Sequence, residues 1–213
     1  TMPDYLAEPS GPATAGVLVV HDWYGLLPHV RAGCDELAAA GLAALAPDLY
    51  DGRTTTDSGQ AEALMEALDN DAARARLDAA TADLRERAGG GPVGGLGFSM
   101  GGFLTLLQAT TGAYDAAAVY YAALDPERAA AIRCPVLLQL AEVEEFDPPE
   151  FFDGFVAALR AAGTEVRVRT WPGTEHSFAN RDVPLHAPDQ AAEAWSDTVG
   201  FLRGHLGGER QAG

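Results

Sequence analysis

Short apolar runs recur along the chain, each followed by a turn and then by a stretch of helical period. Ala15-Gly16-Val17-Leu18-Val19-Val20, Leu42-Ala43-Ala44-Leu45-Ala46, the run entering Gly97, Ala116-Ala117-Ala118-Val119-Tyr120-Tyr121 and Pro135-Val136-Leu137-Leu138-Gln139-Leu140 are too apolar to have a wet face. They read as buried strands. Val166 to Trp171 alternates instead, which predicts a half-exposed strand near a sheet edge. Tyr5-Leu6-Ala7 reads as a weak edge strand before the Pro/Gly-rich Pro9–Pro12 segment.

Between these runs the period changes to that of a helix. Pro28 opens a helix through about Ala40, with Val30, Cys34, Leu37 and Ala38 on one face and Gly41 as its stop. Arg53 to Gly59 is polar and Thr-rich and reads as loop. Helices are expected over about Gln60–Leu68 and Asp71–Ala88, the latter facing the sheet with Ala72, Leu77, Ala80, Leu84 and Ala88. Further helices follow Ser99, ending near Gly112, a short one starts at Asp125-Pro126, and longer ones cover Pro148–Ala162 and Pro188–Leu206. The tail Gly207–Gly213 is expected to fray. Strands alternating with helices predict an α/β fold with a mostly parallel central sheet and helices on both faces. No repeat or linker divides residues 1–213, so one domain is expected.

Composition narrows the function. The net charge of −17 argues against nucleic acid or an anionic membrane surface as partner. The chain has no lysine, which excludes a lysine Schiff base. No apolar run is long enough to span a bilayer, and the start lacks a basic segment followed by an apolar core, so neither a membrane helix nor a secretion signal is expected. Cys34 and Cys134 lie far apart and belong to no metal-ligand spacing. They are expected as buried free thiols in a reducing, cytoplasmic compartment, with no metal or cofactor.

The chemistry-bearing positions follow strands. Gly97-Phe98-Ser99-Met100-Gly101 is a G-x-S-x-G pattern between an apolar run and a helical one, the context of a nucleophile elbow. A serine hydroxyl needs a base, and the base needs a third group to fix its tautomer. His176 follows the late alternating strand through Pro172-Gly173, whereas His29, His186 and His205 read as surface residues. An acidic loop after Leu140 offers Glu142, Glu144, Glu145 and Asp147. The order serine, acid, histidine is that of the hydrolase elbow.

Four stretches carry a more specific likeness: Val19-Val20-His21-Asp22-Trp23-Tyr24-Gly25, Ala46-Pro47-Asp48-Leu49-Tyr50, Gly97 to Gly102, and Gly173-Thr174-Glu175-His176-Ser177-Phe178. In their order and spacing the chain resembles the dienelactone hydrolase family of the α/β-hydrolase superfamily. The resemblance implies an α/β-hydrolase fold without a large cap domain. It implies Ser99 as nucleophile, His176 as base and Glu144 as the third member, with Asp147 and Glu142 as alternatives, and the backbone N–H groups of Met100 and Trp23 as oxyanion hole. Asp22, Tyr24, Tyr121 and Arg181 are implied as substrate contacts. The chain departs from the best-known members in three places. Ser99 stands for their cysteine, Asp22 for a glutamate, and Asn180, with Arg181 next to it, for an arginine that holds a substrate carboxylate.

The expected activity is hydrolysis of a small-molecule ester, lactone or thioester through an acyl-enzyme on Ser99, by a monomer or small homo-oligomer. The alternatives are a lyase, isomerase or cyclase using His176 for acid–base work, and a silent binding protein that keeps the cleft.

Overall fold

A computed structural model describes residues 4–207. The expectation for the tail therefore lies outside the described residues beyond Gly207.

Seven strands form one sheet: β1 (Tyr5–Ala7), β2 (Gly16–Val20), β3 (Ala43–Ala46), β4 (Val93–Phe98), β5 (Ala116–Tyr120), β6 (Val136–Val143) and β7 (Val166–Glu175), in the order β1-β3-β2-β4-β5-β6-β7. β1 pairs antiparallel with β3 at one edge, and all other pairings are parallel. This is the fold class the apolar runs predict. The helices are α1 (Pro28–Ala39), α2 (Ser58–Glu66), α3 (Asn70–Arg87), α4 (Met100–Ala109), α5 (Pro126–Ala129), α6 (Pro149–Ala161) and α7 (Pro188–Leu206).

Strand alternation sorts the core into two layers. Leu18, Val20, Leu45, Val93, Val119 and Leu138 pack beneath Leu77 and Leu84 of α3, Leu104 and Leu106 of α4, and Phe155 of α6. Val17, Val19, Ala44, Leu96, Ala118 and Leu137 point the other way, onto Cys34 and Leu37 of α1 and Phe201 and Leu202 of α7. Burial on both faces is why β2, β3, β4 and β5 are apolar throughout. Both cysteines are buried and free.

Local chemistry sets the helix starts. Asp57 accepts from the Gln60 N–H, and Asp69 accepts from the Asp71 and Ala72 N–H groups. The Asp57 cap starts α2 two residues before the expected Gln60. In α3 the buried face is Ala73, Leu77, Ala80, Thr81 and Leu84. Leu77, Ala80, Leu84 and Ala88 are buried as expected, whereas Ala72 is exposed and Ala73, about 100° round the helix, takes its place.

The largest departure lies at the far edge. β6 continues three residues past Leu140, and β7 runs through Pro172-Gly173 to Glu175. Ala141 pairs with Trp171 but Val143 pairs with Glu175, so β7 carries two extra residues in a bulge. Gly173 has φ 72, a conformation that glycine adopts without strain. The expected Pro-Gly turn is thus a kink inside a strand, and His176 directly follows that strand.

Candidate functional site

Ser99, Trp23, Tyr121, Glu144 and His176 each follow the carboxyl end of a parallel strand: β4, β2, β5, β6 and β7. In open parallel sheets this is the edge where ligands bind. Ser99 has φ 51 and ψ −118 between β4 and α4, a strained conformation for a residue with a side chain. The fold tolerates it because the neighbouring glycines let strand and helix close up. A Cβ on Gly97 would strike the Gly101 carbonyl, and one on Gly101 would strike the carbonyls of Val20 and His21.

Ser99 Oγ lies 2.8 Å from His176 Nε2. His176 Nδ1 lies 2.7 Å from both carboxylate oxygens of Glu144. A carboxylate only accepts, so Nδ1 carries the proton and Nε2 presents its lone pair to the serine hydroxyl. The His176 and Glu144 side chains are only 8% and 9% exposed, which strengthens their interaction relative to water. Glu144 Oε1 also accepts from the Phe146 N–H at 3.2 Å. The rings of Tyr121 and Phe146 both lie 4.6 Å from the imidazole. Hydroxyl, imidazole and carboxylate are thus arrayed as base-assisted nucleophilic chemistry requires.

Among the other acids of this loop, only Glu142 is engaged elsewhere. Glu142 Oε2 accepts from the Gly173 N–H at 2.7 Å, and the Glu142 N–H donates to Thr174 Oγ1 at 3.3 Å, so Glu142 pins the β7 bulge. Glu145 is exposed. Burial, then the nearby Glu144, raises the Asp147 carboxyl above its ordinary value. The Met100 and Trp23 N–H groups donate to no protein acceptor among the described residues.

The side chains expected around the cleft take different places. Asp22 is fully buried, with Oδ1 accepting from the Tyr24 N–H and Oδ2 from Asn180 Nδ2, both at 2.9 Å. Burial pushes its carboxyl up to about 7, against the opposing pull of those two hydrogen bonds. Tyr24 is buried with Leu27, Ala61 and Val183 and so packs α2 against the loops. Tyr121, at φ 40, is also buried, and its hydroxyl has no partner among the described residues. Arg181 is half exposed and reaches Glu36 at 3.4 Å. It lines a recess of about 310 Å³ between α1 and α7 that does not include Ser99. The structure therefore brings Ser99, His176 and Glu144 together and leaves Arg181 outside.

One histidine, His29, differs from its sequence reading. His29 is buried, packed edge-on against Phe98, and its N–H and Nδ1 both engage Asp182 Oδ2, at 2.8 and 3.1 Å. Burial lowers its pKa to about 4 despite that acid. His21 is buried as well, with Nδ1 2.6 Å from the Asp22 carbonyl and Nε2 accepting from the Leu49 N–H at 3.2 Å. Burial lowers its pKa too. His21 thus ties the loop after β2 to the loop after β3.

The profile of the dienelactone hydrolase family matches residues 2–206, nearly the whole chain. The chain belongs to the dienelactone hydrolase family. Among relatives of this family member, "Protein usf" of Aquifex pyrophilus is 31% identical over 220 residues, covering 95% of this chain and 93% of that protein. A protein of Aquifex aeolicus named "Putative carboxymethylenebutenolidase" is 31% identical over 217 residues, with the same coverage. The solved structure designated m3DLH shares 27% identity and superposes with a TM-score of 0.78, covering 92% of this chain and 89% of its own. The chain is accordingly a hydrolase of the dienelactone hydrolase type with the α/β-hydrolase fold. Among its described residues no helix is long and apolar enough to cross a membrane.

Proposed function

We propose that this single-domain protein hydrolyses a small-molecule ester, lactone or thioester through an acyl-enzyme on Ser99. The observation that carries the reading is the continuous contact from Ser99 Oγ through His176 to Glu144, at 2.8 and 2.7 Å. His176 Nε2 takes the Ser99 proton as Oγ attacks the substrate carbonyl. Glu144 holds the imidazole in its Nδ1–H tautomer and stabilises the imidazolium that forms. The Trp23 and Met100 N–H groups receive the oxyanion. On collapse, His176 returns the proton to the leaving oxygen or sulfur. Water, deprotonated by the same base, then releases the acid and restores Ser99.

The surroundings favour a neutral acyl group. Arg181 pairs with Glu36, Asn180 is spent on Asp22, and Glu145 and Asp147 flank Glu144. We further infer a cytoplasmic enzyme, consistent with two buried, unpaired thiols.

The test combines a fluorophosphonate probe with turnover of 4-nitrophenyl esters of increasing acyl length, several lactones and their carboxylated counterparts. The wild type is labelled on Ser99 and prefers the neutral substrates, while Ser99→Ala and His176→Ala lose activity by several orders of magnitude. Active, folded wild type that takes no label on Ser99 would end this reading. Substantial turnover by Ser99→Ala would favour lyase or isomerase chemistry.

A further inference from the structure

The hydrogen bond from Asn180 to Asp22 crosses 158 residues of chain and joins the loop after β2 to the loop that follows His176. Asp22 immediately precedes Trp23, whose N–H is unengaged within the described chain, and Asp22 Oδ1 fixes the next peptide by accepting from the Tyr24 N–H. The Asp22 carbonyl closes the turn by accepting from the Gly25 N–H at 3.2 Å. Asn180 sits four residues beyond His176, and its own N–H donates to the Ser177 carbonyl at 2.9 Å, within the loop where Ser177 is held at φ 70. Its Oδ1 accepts from the Asp182 N–H at 2.9 Å, and Asp182 in turn receives the His29 N–H at the start of α1. Asp22 is 0% and Asn180 1% exposed, so neither side chain is free to meet substrate.

We propose that Asn180 is a positioning residue: through Asp22 it fixes the Asp22–Tyr24 turn to the His176 loop, so that the Trp23 N–H and the imidazole keep one geometry around Ser99. The proposal rests on the serine-hydrolase reading above. Displacing a reacting group by about 1 Å can cost about a hundredfold in rate, so a link of this kind acts on kcat. Nothing in it touches substrate, so KM is spared.

The hydrogen bonds permit a reciprocal exchange. In Asp22→Asn combined with Asn180→Asp, the amide at 22 donates to the carboxylate at 180. Its oxygen still accepts from the Tyr24 N–H, and the carboxylate still accepts from the Asp182 N–H. The bond between the two side chains survives with donor and acceptor exchanged, and the two bonds from backbone N–H groups keep their direction. We expect Asn180→Ala and Asp22→Asn alone to lower kcat about 10- to 100-fold with KM changed less than about threefold, and the exchanged pair to recover to within about fivefold of wild type. Folded single variants that keep kcat within twofold, or an exchanged pair no better than the worse single, would overturn the proposal.

Asn180→Asp alone adds a readout that survives a failure of Asn180→Ala to fold. It sets two carboxyls in hydrogen-bond contact, which share a proton at low pH and repel once both ionise. Facing the pair are His29, with Nε2 4.0 Å from Asp22 Oδ2, Asp182, His176 and the phenols of Tyr50 and Tyr121. Dividing by the wild-type kcat at each pH removes the titrations common to both proteins. That ratio falls at least tenfold between pH 6 and pH 9; a flat ratio counts against the link. Ser99→Ala, assayed alongside, separates the two readings. If it keeps turnover, the serine mechanism falls and this proposal with it. If it is inactive while the Asn180 variants keep kcat, only the positioning role falls.

Discussion

Replacing Glu144 by Gln tests the relay at its least legible member. The substitution keeps the volume but exchanges an acceptor-only group for an amide. The amide can donate to Nδ1, which favours the tautomer with the proton on Nε2, where the Ser99 hydroxyl needs a lone pair. The electrostatic loss has a ceiling set by distance. At 2.7 Å and an effective dielectric of about 20, the carboxylate stabilises an imidazolium by about 6 kcal/mol. Both partners are less than a tenth exposed, so water recovers only part of that. A net loss of about 4–5 kcal/mol in the transition state corresponds to a fall in kcat of about 10³- to 10⁴-fold. Glu144→Asp, one methylene short of His176, is expected to lose about 10- to 100-fold. The assay is initial-rate hydrolysis of the best 4-nitrophenyl ester, with circular dichroism and melting to establish that each variant is folded. A folded Glu144→Gln enzyme within tenfold of the wild-type kcat would refute the reasoning and return the role to Asp147.

Two further predictions concern the scaffold. Asp22, buried and raised to about 7, ionises near pH 4 in the unfolded chain, so the stability that its neutral form confers at low pH is lost as pH rises from about 4 to 7. Asp22→Asn lacks this loss, and His29 titrates in both proteins. The stability of the variant relative to wild type should therefore rise by about 2–3 kcal/mol from pH 5 to pH 8, a relative shift of about 5–10 °C in Tm. A difference constant within about 1 kcal/mol over that range would contradict the burial argument. Glu142→Ala removes the acceptor of the Gly173 N–H in the β7 bulge and should cost about 1 kcal/mol of stability. Because His176 leaves that strand directly, kcat should fall severalfold with little change in KM, and unchanged kinetics would show that the bulge does not position the base.

What was legible in the sequence was what the chain encodes locally. The glycines around Ser99, the apolar strands and the post-strand histidine each need only a few neighbouring residues, and the structure places them where their pattern implies. The acid was not decided by the residues, because four carboxylates lie within six positions and a one-residue change of phase sends a side chain to the other face of a strand. The continuation of β6 through Val143, paired across a bulge, puts Glu142 on the backbone of β7 and leaves Glu144 as the first residue beyond the strand, against His176. Arg181 shows the same limit from the other side. One place along from Asn180, it belongs to a different face and meets Glu36, while the asparagine meets Asp22. His29 reads as a surface residue from its local sequence because its partners, Phe98 and Asp182, lie far along the chain. In each case the missing information was a polar contact between segments distant in sequence. Local patterns thus specify which groups can react, whereas long-range bonds specify how they are held. That division is why substitutions at Asn180 and Glu142, which no catalytic motif contains, are expected to act on kcat more than on substrate binding.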